Sequence, residues 1–158
     1  EIYYYILIFV IGLVLGSFFN VIIFRFDTGK SVVRGRSECQ NCGSVIKWFD
    51  LIPVASYFIL RGRCRKCKEK ISPLYPIVEI STAVILLLLF LNMPIVSSLA
   101  TLNVFIVLLF VLVIFLDIRY LIIPDKIVIL LAASTIGLIT LGDNEGLLYL
   151  SQEMSEKN

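Results

Sequence analysis

Four cysteines and three acids in apolar surroundings are the residues of this chain best suited to chemistry. The cysteines fall as two Cys-x-x-Cys pairs, Cys39 with Cys42 and Cys64 with Cys67, separated by 21 residues. Two tight turns, each presenting two thiolates, are the ligand set of a tetrahedral four-cysteine zinc site. Gly43 after the first pair and Gly62 before the second suit the bends that aim backbone and sulfur at one metal. With all four ligands from protein, such a site is closed and structural and does not activate water. Two disulfides, or unmetallated thiols that include a redox pair, are the competing readings of the same cysteines.

The acids stand where carboxylates are expensive. Glu79 lies in Tyr75-Pro76-Ile77-Val78-Glu79 near the start of one apolar run, Asp117 directly follows the run Val104 to Leu116, and Asp125 follows Pro124 at the start of another. An ionisable group inside or at the end of a membrane span marks function by default. Each has a structural alternative. Asp125 suits the positive end of a helix dipole beside a helix-starting proline. Glu79 stands close to the headgroups. Asp117 at a helix carboxyl end meets the unfavourable end of the dipole, which Arg119 offsets as an ion partner. Ser17 and Asn20 are polar residues inside the first apolar run. Gly12 and Gly16 there form a Gly-x-x-x-Gly pair that permits close helix packing, the favoured reading of that segment.

The elements that position these residues are transmembrane helices. The 158-residue chain is 59% hydrophobic and only 16% charged, with mean hydropathy +0.96, whereas a soluble domain carries about a quarter charged residues. Four spans are predicted, over about Ile2 to Phe24, Leu74 to Leu91, Ile95 to Leu116, and Pro124 to Leu141, with a turn at Asn92-Met93-Pro94. The first is too long for a signal-peptide core and has neither a basic n-region nor a small-residue cleavage site. The fold class is thus all-α integral membrane, in four parts: a first helix over 1–26, a polar insertion over 27–72, helices two to four over 73–141, and a polar tail over 142–158. An insertion of about 45 residues builds little core unaided and needs a staple, which the cysteines supply.

Charge sets the orientation. Of 14 Lys and Arg residues, 11 fall between Arg25 and Lys70, so the positive-inside rule makes the insertion cytoplasmic. Alternation then puts Asp117, Arg119, Asp125 and Lys126 on the same side. A reducing cytosol disfavours disulfides. Topology and anionic lipid account for the basic charge, and nucleic acid is not needed as a partner.

Several motifs now stand in a recognisable order. Gly16-Ser17-Phe18-Phe19-Asn20 through Arg25 is followed by Cys39-Gln40-Asn41-Cys42, Asp50-Leu51-Ile52-Pro53, Leu60-Arg61-Gly62-Arg63-Cys64-Arg65-Lys66-Cys67, Ile71-Ser72-Pro73 through Glu79, and Asp117-Ile118-Arg119 through Asp125. Together they resemble the bacterial type IV prepilin peptidases over about residues 12 to 140. That resemblance implies a membrane aspartyl endopeptidase of the cytoplasmic membrane. Such enzymes cleave the basic leader of type IV prepilins and pseudopilins, in pilus assembly, protein secretion or competence, and methylate the new amino terminus with S-adenosylmethionine. It makes Asp117 the first catalytic aspartate and Asp125 an accessory acid, links Gly62 and Glu79 with methyl transfer, and matches Cys39, Cys42, Cys64 and Cys67 to a zinc tetrad.

One departure is plain. The family's second aspartate lies in a Gly-x-Gly-Asp motif, and Gly142-Asp143 has Thr140 in place of the first glycine. Eighteen helical residues beyond Asp125, about 27 Å, Asp143 also belongs at the opposite membrane face. The resemblance therefore implies a fragment or truncated product. The alternatives are a membrane-anchored zinc-ribbon adaptor and a form that retains only methyl transfer.

Overall fold

The computed structural model describes residues 2–26, 28, 29, 31–92 and 98–156. They form five α-helices: α1 (Ile2–Arg25), the short α2 (Ala55–Ile59), α3 (Leu74–Asn92), α4 (Ser98–Tyr120) and α5 (Asp125–Glu156). A single 3-10 turn, Trp48–Leu51, precedes α2. Among the described residues there is no strand, only the isolated bridges Glu38 to Val45 and Arg63 to Lys70. Four stretches are long and apolar enough to cross a membrane: α1, α3, Leu99–Tyr120 of α4 and Asp125–Gly142 of α5. The protein is an all-α membrane protein with its cysteine-bearing insertion between the first two spans.

Local chemistry sets the helix ends. Arg25 closes α1, where a cation meets the negative end of the dipole. Before α3, the Ser72 hydroxyl accepts from the Leu74 amide at 3.2 Å, and Pro76 occupies the first turn, where a missing N–H costs nothing. α4 ends where the sequence places the helix carboxyl end, with Asp117, Ile118 and Arg119 in its last turn. It stops at Leu121, which takes a left-handed φ of 54° and donates its N–H to the Asp117 carbonyl at 2.8 Å. α5 also continues beyond its apolar part, so the polar segment after Leu141 is helical as far as Glu156. The turn predicted at Asn92-Met93-Pro94 lies, after Asn92, outside the described residues.

The chain divides into two compact units, 1–91 and 92–158. In the first, α1 and α3 cross at small residues, as the Gly-x-x-x-Gly pair predicts. A methyl added at Gly12 would stand 2.5 Å from the Ala83 Cα, and one at Gly16 would stand 2.6 Å from the Glu79 Cα and 3.0 Å from the Val78 carbonyl oxygen. Backbone therefore packs on backbone, which only glycine allows. At the polar end of this pair the Phe24 ring stacks on Tyr75, centroids 4.0 Å apart and nearly coplanar. The Arg25 guanidinium donates to the carbonyls of Ser31, Arg34 and Arg36, gathering the first part of the insertion around the end of α1. In the second unit α4 and α5 pack as a helical hairpin, with Leu102 lying 3.7 Å from where a Gly137 methyl would be.

The close crossing gives the first prediction. Gly16→Ala forces backbone apart and is expected to destabilise the solubilised chain by about 1–3 kcal/mol, as overpacking does. Gly142→Ala, inside α5 with nothing within 4 Å of the added methyl, is expected to be slightly stabilising, by up to about 1 kcal/mol, because alanine favours a helix. Thermal unfolding of both variants checks the contrast, and an unperturbed Gly16→Ala would contradict the packing.

Candidate metal centre and embedded acids

The two Cys-x-x-Cys pairs fold as copies of one knuckle. In the first, Cys39 donates its N–H to the Ser44 carbonyl at 2.9 Å and its own carbonyl accepts from Gly43 at 2.9 Å. In the second, Cys64 donates to the Glu69 carbonyl at 2.8 Å and accepts from Lys68 at 3.1 Å. A bridge closes each knuckle, Glu38 to Val45 and Arg63 to Lys70. The residue after the second cysteine is left-handed in both, Gly43 at φ 65° and Lys68 at φ 61°. The bend that the sequence assigns to Gly62 is thus made by Lys68, at a cost of about 1–2 kcal/mol for a residue with a Cβ.

Gly62 serves a different turn. α2 ends with the Gly62 N–H donating to the Tyr57 carbonyl at 2.9 Å and the Arg61 N–H to the Phe58 carbonyl at 3.0 Å, the paired bonds of a Schellman cap. Arg61 and Gly62 are both left-handed, φ 52° and 63°. A methyl on Gly62 would stand 3.0 Å from the Tyr57 hydroxyl.

The knuckles bring all four sulfurs within 4.8 Å of one another. A tetrahedral ion with bonds of about 2.3 Å to sulfur sets its ligands about 3.8 Å apart, and Cys39 Sγ lies 3.8 Å from Cys67 Sγ. The donor set therefore fits one thiolate-bound metal ion, and the cysteines form no disulfide. Ligation needs thiolates, and the surroundings supply part of that need. Hydrogen bonds from the Ser44 side chain and backbone lower the Cys42 thiol to about 6, and the Cys67 and Lys66 backbone lowers Cys64. Although the Glu69 backbone lowers it, desolvation and the neighbouring thiols push Cys67 up to about 11. Beside the knuckles, the Arg65 guanidinium grips Asp50 through two bonds of 2.9 and 2.7 Å, which holds that carboxyl below the usual carboxylate range.

Glu79 is the embedded acid with the most partners. It is 7% exposed, and Asn20 beside it is 2% exposed. Glu79 Oε2 accepts from the Val54 amide at 2.7 Å. Asn20 Nδ2 donates to Glu79 Oε1 at 3.4 Å and to the Tyr75 carbonyl at 3.0 Å. Two acceptors on one side fix the orientation of the Asn20 amide and leave its Oδ1 buried with no partner among the described residues. Asn20, which the sequence suggests is a packing residue, is thus a polar link between α1 and α3. Val54, which the sequence does not single out, is a β-branched residue at φ 60° and ψ −52°. Nothing in its residue type announces that geometry.

The second unit places Asp117 and Asp125 at the connected ends of the α4–α5 hairpin. Both are exposed. Asp117 lies in the last turn of α4 and Asp125 in the first turn of α5, where the Pro124 carbonyl accepts from Ile127 at 3.0 Å and Val128 at 3.2 Å.

Residues 10–93 match the family described as Bacterial Peptidase A24 N-terminal domain. A prepilin leader peptidase/N-methyltransferase of Myxococcus xanthus is 47% identical over 78 residues, covering 49% of this chain and 23% of that protein. One from Vibrio cholerae is 42% identical over 93 residues, covering 54% of this chain and 37% of its own length. One from Bacillus subtilis is 32% identical over 123 residues, covering 78% and 49%. The chain thus spans half or less of the length of these relatives. No solved structure matches it.

The sulfur geometry predicts one metal ion per chain. Protein prepared without chelators is expected to show it by elemental analysis. Cys39→Ser with Cys67→Ser is expected to lose it and to open the insertion to protease, because so small a segment folds with its metal. Metal-free protein with a protease-resistant insertion would contradict the prediction.

Proposed function

Because the chain belongs to the bacterial peptidase A24 N-terminal domain family, we propose that it serves prepilin leader cleavage coupled to N-methylation of the new amino terminus, the two activities named for its relatives. The substrates are prepilin or pseudopilin precursors at the bacterial cytoplasmic membrane. With 11 of the chain's 14 basic side chains between Arg25 and Lys70, the insertion over 27–72 faces the cytosol and holds a structural zinc ion. The core over 73–141 carries the peptidase acids.

The observation that carries the catalytic reading is the place of Asp117, an exposed carboxyl in the last turn of an apolar span. An aspartyl protease needs two carboxyls that share a proton, one activating water and the other donating to the scissile carbonyl. A helix end at the membrane surface supplies that water, and a basic leader can remain in the cytosol while the substrate's apolar helix stays in lipid. The match to the Bacillus subtilis relative extends over 123 residues, and a stretch of that length in a chain of 158 necessarily includes Asp117. Asp125 is an accessory acid, since the first turn of α5 can use its carboxyl. Gly62 and Glu79 serve the methyl transfer, for which S-adenosylmethionine is the donor. An adaptor that recruits a partner through its zinc ribbon has no need of two acids at one end of an apolar hairpin.

The 158 residues contain no Gly-x-Gly-Asp sequence, and this determines the test. We expect no prepilin cleavage by these residues alone, and cleavage when a segment carrying that motif is supplied. In the restored enzyme Asp117→Asn abolishes cleavage without changing metal content, and Asp125→Asn impairs it less. Cleavage by the isolated 158 residues, or full activity of Asp117→Asn, would show that the catalytic pair is assigned wrongly.

A further inference from the structure

The insertion displays apolar side chains that its own fold does not cover. Trp48 is 78% exposed, Ile59 71% and Phe58 65%, with Leu51 and Ile52 exposed between them. They lie on the 3-10 turn, on α2 and, for Ile52, on the link between these two elements, which pack against each other. Exposed aromatic and aliphatic groups at this density mark a surface that is covered in use.

Their height relative to the membrane follows from one bond. Glu79 lies five residues into α3, about 7.5 Å along the helix from its start, and its Oε2 accepts from the Val54 amide at 2.7 Å. Val54 joins the 3-10 turn to α2. Both elements are therefore held at the level where the span enters the bilayer, within the interfacial layer of about 5–7 Å on each side of the hydrocarbon. Tryptophan favours that layer.

Charge identifies the occupant. Beside α2 an open pocket of about 470 Å³ has Tyr57, Arg61, Gly62, Arg63 and Lys70 in its lining and reaches Ser72 and Pro73, just before α3. Among the described residues no acid lines this pocket; Asp50, in the 3-10 turn, is already held by Arg65 at 2.7 Å, and Glu69 precedes Lys70 in the sequence. Three cations around a pocket at a span entrance suit a phosphate group.

We propose that the Trp48–Ile59 segment lies in the headgroup layer of the chain's own membrane, and that Arg61, Arg63 and Lys70 bind the phosphates of anionic phospholipids there. The aliphatic and aromatic groups enter the interface and the cations hold the headgroup plane. The bilayer thereby covers the face that the insertion leaves open. This docking is independent of the peptidase assignment.

Trp48 is the sole tryptophan, so its fluorescence reports on the segment in the full chain. The chain is reconstituted in phosphatidylcholine vesicles and in mixed phosphatidylcholine and phosphatidylglycerol vesicles, with brominated lipid or aqueous acrylamide as quencher. Brominated lipid is expected to quench Trp48 in both, several-fold more strongly in the mixed vesicles, where acrylamide becomes correspondingly less effective. Combined Arg61→Gln, Arg63→Gln and Lys70→Gln removes the difference between the two compositions. The wild-type comparison needs no variant and stands even if this one misfolds. Equal lipid quenching in the two compositions overturns the proposal. So does Trp48 open to acrylamide in both, which would assign the face to a protein partner. An effect of added inorganic phosphate equal to that of phosphatidylglycerol also overturns it, because the pocket would then be a site for a free anion.

Discussion

A single buried carboxyl joins the membrane part of the first unit to its polar insertion. Glu79 accepts from the Val54 amide on one oxygen and from Asn20 on the other, so α3, α1 and the segment between the 3-10 turn and α2 meet at one side chain. That junction depends on the glycines beneath it. Gly16 packs against the backbone of Glu79 itself, and a larger residue there would move α1, and Asn20 with it, away from the acid. The magnitudes are balanced. Holding a β-branched residue at φ 60° costs about 1–3 kcal/mol, and leaving a buried acceptor and an amide donor unmatched costs a similar amount. The strain at Val54 persists because releasing it would strand Glu79.

The insertion has two other ties, and each compensates for its small size. Arg25 collects three carbonyls at the end of α1, which orders a stretch otherwise poor in regular hydrogen bonds. The paired knuckles place four sulfurs at metal-binding distance, and a metal there links parts of the chain that no hydrophobic core joins. Two of the three ties, at Arg25 and Glu79, are made from the spans themselves. Four protein ligands leave no open position, which favours a structural rather than catalytic metal.

Much of this was legible in the sequence, because the relevant signals were local. Uninterrupted apolar runs marked the four spans, cysteine spacing marked the knuckles, and Gly12 with Gly16 marked the close crossing. Wherever backbone conformation was set by tertiary partners, residue type was a poor guide. Lys68 takes the left-handed position that Gly43 occupies in the sister knuckle, so a rule that seeks glycine finds only one of the two. Gly62 lies close enough to the second pair to suggest a role there but belongs to the cap of α2. The acid and the arginine at Asp117 and Arg119 do mark a helix end in the sequence, and α4 stops at Tyr120. What residue type does not announce is the stop itself, the left-handed Leu121. Asn20 looked like one polar residue in a packing face; only the fold brings it to Tyr75 and Glu79, 55 and 59 residues away.

Hydrogen exchange at the Val54 amide tests the central junction most directly. In the full chain held in a lipid nanodisc, that amide donates to a buried carboxyl and is expected to be strongly protected. Glu79→Ala is expected to release it to rapid exchange, and with it the amides of the 3-10 turn and α2, while the metal content of the knuckles remains unchanged. A Val54 amide that exchanges freely in the wild-type protein, or one that stays protected in Glu79→Ala, would contradict the role given to Glu79.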